Sequence, residues 1–174
     1  MPKIIFMMTV ENIHGREILT QLIRYNIPIT ASIIEHNSKM SENTRNYLKN
    51  DFFTPKTYDE IVRGTKIQTH FVDQHNNDET VSLLQKYKPD YVILGGTRIL
   101  KEHVIRNVRH GILNSHPAIL PKYQGLDCVG WTILDGEPVG ATVHYIDTGI
   151  DTGPIILQDF IDYKECSSLI EVRI

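Results

Sequence analysis

The sequence predicts an α/β domain in which helices cover both faces of a mostly parallel central sheet. Three observations lead to this prediction: short apolar runs typical of strands buried on both faces, segments with apolar residues at helical spacing, and the alternation of the two along the chain. The 174 residues suffice for one core of ordinary size. We therefore expect a single three-layer αβα domain over residues 1–174, with a C-terminal helix at 167–174 that is cut short.

The first half of the chain supplies three strands and two helices. Residues 15–25 show the helical pattern clearly, because their apolar side chains recur three and four positions apart from Ile18 to Ile23. Residues 38–64 are polar, have only a weak helical pattern at 41–48, and are predicted to form a long surface excursion. The predicted strands span residues 3–10, 29–35 and 68–72, and the second helix spans residues 78–87.

The second half of the chain continues the alternation. Residues 90–96 are the most distinctly buried strand of the chain and end in Gly95 and Gly96. The alternating pattern at 141–146 indicates a strand near an edge of the sheet. A short helix is predicted at 101–107, and two further strands at 111–114 and 154–160.

Composition argues against nucleic acid and membranes as partners. The net charge is −3 and the pI about 6.2, so the chain has no overall positive field, although a local basic patch around Arg106, Arg109 and His110 is not excluded. No apolar run approaches the roughly 18 residues of a membrane-spanning helix, and the apolar start is too short for a signal peptide. Cys128 and Cys166 are far apart, which favours free thiols. We expect a cytoplasmic protein, and a homodimer is left open.

Three side chains in the second half have the chemistry needed to move an acyl group onto an amine. Asn114 can hold a developing oxyanion, His116 can transfer a proton, and Asp151 can orient and charge that histidine. Asn114 and His116 are two positions apart, so on an extended strand both face the same side, and Pro117 ends the strand directly after them. Ligands of such sheets bind at the carboxyl ends of strands. The glycine pair at 95–96, the 114–116 tip and the 147–154 loop are therefore expected to converge on one cleft.

Other site types fit the sequence less well. The triplets Asp147-Thr148-Gly149 and Asp151-Thr152-Gly153 spell an aspartic-protease motif, but they lie four residues apart in one loop and cannot face each other as that chemistry requires. The first predicted strand is followed by no Gly-x-Gly-x-x-Gly, which argues against a nicotinamide cofactor, and no His/Cys cluster has zinc spacing. His144 lies on a predicted strand, so we interpret it as structural support.

Three segments in this order share a pattern with a known family: residues 95–100 (GGTRIL), 111–125 (GILNSHPAILPKYQG) and 143–156 (VHYIDTGIDTGPII). Together they resemble the folate-dependent formyltransferase family, which includes the glycinamide ribonucleotide, methionyl-tRNA and amino-sugar formyltransferases. The match is strong over residues 90–158 and architectural before them. The resemblance implies a Rossmann-like sheet, 10-formyltetrahydrofolate as the formyl donor, and a primary amine as the acceptor.

The resemblance also implies roles for individual residues. Asn114 would polarise the formyl oxygen, His116 would stabilise the tetrahedral intermediate, and Asp151 would hold His116 and manage the proton that leaves the amine. Two segments would form the walls that hold the pterin largely through backbone hydrogen bonds, and two isoleucines would line its pocket. The wall residues are Arg98, Ile99, Leu100, Asp147, Thr148, Gly149 and Ile150, and the lining residues are Ile105 and Ile112.

The acceptor is narrowed by comparison within that family. Glycinamide ribonucleotide enzymes have a glycine- and serine-rich phosphate loop after the first strand, where this chain has residues 9–15 (TVENIHG). Methionyl-tRNA enzymes carry a further C-terminal domain and a basic surface, and formyltetrahydrofolate hydrolases an N-terminal regulatory domain. Residues 125–131 are most similar to enzymes that formylate amino sugars, so we expect a small-metabolite amine. The alternatives are a glycinamide ribonucleotide enzyme, a hydrolase, and a folate-binding module without turnover.

Overall fold

The structure is a computed structural model, and it describes residues 1–36 and 56–163. The helices predicted at 41–48 and 167–174 lie outside these ranges. Seven strands are present in the described part: β1 (Ile4–Thr9), β2 (Ile29–Glu35), β3 (Gln68–Val72), β4 (Tyr91–Leu94), β5 (Gly111–His116), β6 (Gly140–Tyr145) and β7 (Ile155–Phe160). Five helices accompany them: α1 (Ile13–Arg24), α2 (Tyr58–Val62), α3 (Asp78–Tyr87), α4 (Glu102–Ile105) and α5 (Cys128–Leu134).

The sheet has the strand order β3-β2-β1-β4-β5-β6-β7. Strands β1 to β5 pair in parallel, whereas β6 and β7 add two antiparallel strands at one side. The chain winds outward from β1 in both directions, so the strand order reverses between β1 and β4. The predicted mostly parallel sheet is confirmed, and β6 lies one strand from the edge, as its alternating pattern indicates.

Two apolar layers form because successive side chains of a strand point to opposite faces. In β1, Ile5 and Met7 pack with Leu84 of α3 and Val104 of α4 in one cluster. The other face of β1 packs against α1 and α2, through Phe6, Met8, Leu19, Tyr58 and Ile61. Helices on both faces of the sheet complete the predicted three-layer arrangement.

Several element boundaries differ from the sequence prediction. Helix α1 begins two residues earlier than expected because the Asn12 side chain accepts a hydrogen bond from the Gly15 N–H and caps the helix. Strand β5 runs to His116 because its pairing with β6 extends to the His116–Thr142 pair. Helix α2, within the segment predicted as an irregular excursion, is too short for a visible period.

Helix α5 was not predicted at all, and its sequence explains why. Its N-cap residue, Asp127, adopts a left-handed conformation with φ 60° and makes no capping side-chain hydrogen bond. Gly130, a poor helix former, lies in its middle. The buried side chains of the helix, among them Val129 and Thr132, show that tertiary packing determines it.

Candidate active site

Asn114 and His116 lie at the carboxyl end of β5, on the face predicted from their spacing. The antiparallel register places His144 of β6 directly opposite Asn114. Asn114 Nδ2 is 3.2 Å from His144 Nε2, and the His116 and His144 rings meet edge to face at 6.3 Å between centroids. The strand pairing therefore brings a second imidazole beside the predicted pair.

Asp151 joins this group from the β6–β7 loop. Its Oδ2 atom accepts a hydrogen bond from the Gly125 N–H at 2.9 Å and lies 3.4 Å from His116 Nδ1. Its Oδ1 atom lies 3.5 Å from His144 Nε2. The backbone at Asp151 has φ 52°, a left-handed conformation that Asp and Asn adopt more readily than other non-glycine residues. The three predicted catalytic residues thus meet in one cluster, with the carboxylate between two imidazoles.

Backbone carbonyls fix which imidazole nitrogens face the carboxylate. His116 Nε2 is 2.7 Å from the Tyr123 carbonyl oxygen, and His144 Nδ1 is 2.9 Å from the Tyr145 carbonyl oxygen. Because a carbonyl oxygen only accepts, each of these nitrogens carries a hydrogen. The nitrogens turned toward Asp151, His116 Nδ1 and His144 Nε2, are then the ones that these carbonyls do not engage.

The hydrogen bond to His144 also orients the Asn114 amide. His144 Nε2 is the acceptor in the neutral ring, so it takes one of the two N–H groups of Asn114. The second N–H group remains to donate to a substrate oxygen. His116 and His144 are buried, whereas Asp151 retains 14% side-chain exposure, so the cluster opens to solvent on the side of the loop.

The predicted folate walls are attached to one part of the hydrophobic core. Leu100 and Ile112 are buried members of a single cluster, and Ile105 packs against it. Ile146, directly before the 147–150 loop, packs against the same cluster and donates its N–H to the Ile112 carbonyl. The apolar side chains of Ile99 and Ile150 are exposed at the surface. The assignment of these residues to folate stays a prediction.

Asp147 shapes its own loop. Its Oδ1 atom accepts hydrogen bonds from Thr152 Oγ1 at 2.6 Å and from the Gly149 N–H at 2.9 Å. The Thr152 hydrogen bond in particular holds the pKa of Asp147 below its usual range. The neighbouring thiol of Cys128 has a raised pKa, because of burial and then of the nearby Asp151 charge. The loop therefore has fixed anionic character, and Cys128 stays a neutral thiol.

A second polar cluster, which sequence reasoning missed, lies at the end of β2. Glu35 is 1% exposed, and its carboxylate pairs with Arg98 Nε at 2.7 Å and lies 3.2 Å from His75 Nδ1. Arg98 was predicted only as a binding-site residue, and its buried partner is 63 residues away in sequence. A glutamate that ends a predicted buried strand was the one available signal.

The basic residues 106–110 lie at the opposite end of the strands, where the strands begin. Arg106 and Arg109 line an open groove of about 700 Å³ together with Lys3 and Lys88, and Asp90 there pairs with Arg109. These residues precede or border the starts of strands, whereas Asn114, His116 and Asp151 follow strand ends. The groove and the histidine cluster are therefore separate sites.

Within residues 1–36 and 56–163, no helix is long and apolar enough to cross a membrane. No group of three or more His, Cys, Asp or Glu side chains there has an arrangement that could hold a metal ion.

Comparisons with a family model and with curated proteins agree on one family. The family model described as formyl transferase matches residues 3–171. The methionyl-tRNA formyltransferase of Chlorobium chlorochromatii is 36% identical over 93 residues, which are 53% of this chain and 30% of that protein. The chain aligns with 26% to 31% of the length of the curated relatives that it matches.

Solved structures share the fold. The phosphoribosylglycinamide formyltransferase from Bacillus halodurans superposes with a TM-score of 0.71 at 22% identity, covering 98% of this chain and 86% of that one. A formyltetrahydrofolate deformylase from Pseudomonas syringae gives a TM-score of 0.67 at 22% identity, covering 99% and 55%. Enzymes with different acceptors therefore share this architecture.

Proposed function

The chain belongs to the formyl transferase family, and on that premise we propose that it transfers a formyl group from 10-formyltetrahydrofolate to a primary amine of a small metabolite. The observation that carries the proposal is the meeting of Asn114, His116 and Asp151 at the carboxyl end of β5. An amide donor, an imidazole and a carboxylate are the groups that acyl transfer to an amine requires.

Each side chain has a role that its contacts support. The free N–H of Asn114 donates to the formyl oxygen as negative charge develops there, an effect worth about 2.7–4 kcal/mol in comparable sites. His116, when protonated at Nδ1, adds positive charge beside that oxygen, since its Nε2–H is fixed on the Tyr123 carbonyl. Asp151 would take up the proton that the amine loses, and a proton would be returned to N10 of the folate as its bond to the formyl carbon breaks, so that tetrahydrofolate leaves neutral at that nitrogen. General base catalysis of this kind is worth about 100- to 10,000-fold in rate.

The folate supplies the activated formyl group when it is bound. The segments 98–100 and 147–150 fit a flat, partly apolar ligand, because both are anchored on the core cluster that contains Leu100 and Ile112 and both present an exposed isoleucine, Ile99 and Ile150. Bound between them, the donor would meet Asn114 and Asp151 at the adjoining strand ends. Holding the reactants side by side supplies much of the remaining rate.

We assign the acceptor to small-metabolite amines, with an amino sugar as the first candidate. A ribonucleotide phosphate would be expected at the β1–α1 turn, but here that turn bears the Glu11 carboxylate, which pairs only weakly with Arg16 at 3.7 Å. Asn12 already caps the helix at this point. A carboxylate and a capped helix start oppose the binding of a phosphate. Residues 125–131 support the amino-sugar assignment by resemblance.

Glycinamide ribonucleotide remains the second candidate acceptor, because the structural neighbours include phosphoribosylglycinamide formyltransferases. Water is the acceptor in the hydrolase alternative, and the Pseudomonas syringae neighbour is named as a deformylase. A folate-binding module without turnover is the non-enzymatic alternative. The four hypotheses differ in which acceptor, if any, leads to the release of tetrahydrofolate.

The experiment mixes the protein with 10-formyltetrahydrofolate and a panel of amines and follows tetrahydrofolate release. Release that requires an amino sugar supports the proposal, and release with glycinamide ribonucleotide supports the second candidate. Release in buffer alone identifies a hydrolase, and binding without release identifies a module. The variants Asn114→Ala and His116→Ala should each slow release at least about 100-fold while the protein stays folded. Wild-type rates in either variant would remove that residue from the mechanism.

A further inference from the structure

The segment 97–101 follows β4 and has no secondary structure of its own. Its backbone pairs with no strand, and only the carbonyl of Lys101, the N-cap residue of α4, is tied to a helix, so residues 97–100 depend on contacts made by side chains. Three residues of the proposed folate wall, Arg98, Ile99 and Leu100, lie in this segment. Its neighbours therefore bear directly on the geometry of that wall.

Asn76 binds this segment at two backbone atoms. Asn76 Nδ2 donates to the Ile99 carbonyl at 2.9 Å, and Asn76 Oδ1 accepts from the Lys101 N–H at 2.8 Å. One amide thus uses its donor and its acceptor to hold both sides of Leu100. The Ile99 carbonyl and the Lys101 N–H are thus both engaged by the Asn76 side chain.

Glu35 holds the same segment from the other end. Its Oε1 atom accepts a hydrogen bond from Arg98 Nε at 2.7 Å, while its Oε2 atom accepts from the His75 N–H at 2.9 Å. His75 is fully buried, and its Nε2–H donates to the Ile33 carbonyl at 3.2 Å. Residues 75 and 76 are therefore tied to β2 through Glu35 and Ile33, and to the wall segment through the Asn76 amide.

Stability alone does not account for a buried carboxylate and imidazole at this place. Well-packed apolar side chains of similar volume are often as stabilising as a buried charged pair, or more so. What the charged pair adds is direction, since a hydrogen bond at Arg98 Nε anchors the side chain of this segment at one point where apolar contact would allow it to slide. A displacement of about 1 Å in a binding or catalytic constellation is enough to cost much of its effect.

We propose that Glu35, His75 and Asn76 are positioning residues that hold the 98–100 backbone in the geometry that binds the pterin of the folate donor. The proposal rests on the proposed function, because it takes 98–100 as a folate wall. It assigns to β2 and the 75–76 turn a role in donor affinity, although neither touches the Asn114, His116 and Asp151 cluster.

The neighbouring asparagines provide a matched test. Asn76→Ala removes both hydrogen bonds to the wall segment, whereas Asn77→Ala removes the cap that the Asn77 side chain provides for the Thr80 N–H. Both residues are half-buried in the same turn, and both substitutions destabilise the fold by a modest, comparable amount. Equilibrium binding of tetrahydrofolate is measured by calorimetry, alongside thermal unfolding of each variant.

We expect Asn76→Ala to weaken tetrahydrofolate binding about tenfold, as the loss of two neutral hydrogen bonds implies, and Asn77→Ala to bind within about twofold of the wild type. Asn76→Asp keeps the acceptor for the Lys101 N–H and should recover part of the affinity. Glu35→Gln keeps the shape but not the charge and should weaken binding about fivefold or more. Recovery by the Asp variant separates positioning from a general loss of stability.

The outcomes distinguish this proposal from the one on which it rests. If the wild type does not bind tetrahydrofolate, the proposed function fails and the positioning role fails with it. If the wild type binds, but Asn76→Ala and Glu35→Gln bind as tightly as Asn77→Ala, only the positioning role is overturned. Equal weakening in Asn76→Ala and Asn77→Ala would attribute the effect to stability and would also overturn it.

Discussion

Two clusters at the carboxyl ends of the strands each place a carboxylate against a buried imidazole, yet they differ in charge and in access to solvent. The closed cluster comprises Glu35, His75 and Arg98, and the open cluster comprises Asn114, His116, His144 and Asp151. Glu35 is 1% exposed and pairs with Arg98, so its negative charge is matched by a permanent cation. Asp151 is 14% exposed and, among the described residues, faces His116 and His144 without any arginine or lysine. Of the two carboxylates, only that of Glu35 therefore has a permanent cation as its partner in the part of the chain that the structure describes.

The difference shows how similar groups serve different ends. A carboxylate that is closed off and paired with arginine holds a backbone segment in place, because its charge is fixed and its lone pairs are used. A carboxylate between two imidazoles, with one side open to solvent, can accept a proton and pass it on. The environment of each carboxylate, and not its residue type, therefore separates structure from chemistry in this fold.

The largest expected effect comes from removing the charge of the open cluster. Asp151→Asn should slow formyl transfer at least about 100-fold, since no base then takes the amine proton. Asn tolerates the left-handed backbone at this position, so the fold should persist. Tetrahydrofolate release under saturating donor and amine measures the rate. Asp90→Asn, at the opposite end of the strands, is the control and should keep the wild-type rate. A wild-type rate in Asp151→Asn would contradict the assignment of proton transfer to the open cluster.

The two clusters also mark how far the sequence can be interpreted. The period of two in a strand is local, so it predicted that Asn114 and His116 share a face. The pairing of His144 with Asn114 depends on the register between β5 and β6, which is a non-local property, and His144 was interpreted as structural support. Glu35 ends β2 and Arg98 follows β4, and these two strands lie on either side of β1 in the sheet. Strand order and register, which single-sequence patterns do not encode, determine both of these pairings.

A steric clash near the closed cluster should lower the stability of the protein while the open cluster keeps its geometry. Gly15→Ala would place a Cβ atom 2.0 Å from the Gly95 carbonyl oxygen, just before the segment that carries Arg98. Glycine to alanine in a helix ordinarily stabilises by about 1 kcal/mol, but this contact should reverse the sign and cost about 2 kcal/mol. Urea unfolding measures the change. Ser82→Ala, on the exposed face of α3, should be neutral or slightly stabilising.

The same variant also bears on binding. A shifted Gly95 moves the proposed folate wall, so tetrahydrofolate affinity should fall in Gly15→Ala even where the protein is folded. Asn114 and His116, on β5, should keep their geometry. A stable Gly15→Ala protein with wild-type affinity would show that the 97–101 segment is positioned independently of α1.

A moderate effect is expected from His144, which tests whether the open cluster has two working imidazoles. His144→Leu removes the acceptor that orients the Asn114 amide and one of the two rings beside Asp151. We expect turnover to fall about 10- to 100-fold, less than for Asp151→Asn, because His116 remains. The rate is compared at equal folded fraction, judged by circular dichroism. Turnover within twofold of the wild type would restore the structural interpretation of His144.

The smallest expected effect is a pH dependence that belongs to the closed cluster. Burial, as the largest cause, lowers the pKa of His75 below its ordinary value, outweighing the opposite effects of the Ile33 carbonyl and Glu35. The unfolded chain takes up the proton at a pKa of about 6.5, before the folded one does. Stability contributed by neutral His75 is therefore complete above that pH and is lost progressively as the pH falls below it.

The measurement is the free energy of unfolding in urea between pH 7.5 and 5.5 for the wild type and for His75→Gln. Glutamine retains a donor for the Ile33 carbonyl but does not titrate, so the variant should lose about 1 kcal/mol less than the wild type over this range. The half-buried His70, whose pKa burial also lowers, should contribute a smaller slope of the same sign. Identical slopes for His75→Gln and the wild type would mean that folding leaves the pKa of His75 unchanged, and a steeper loss in the variant would mean that the folded protein holds His75 as an imidazolium beside Glu35. In either case the buried His75 would be protonated at pH 5.5, so burial would not keep the closed cluster in one charge state.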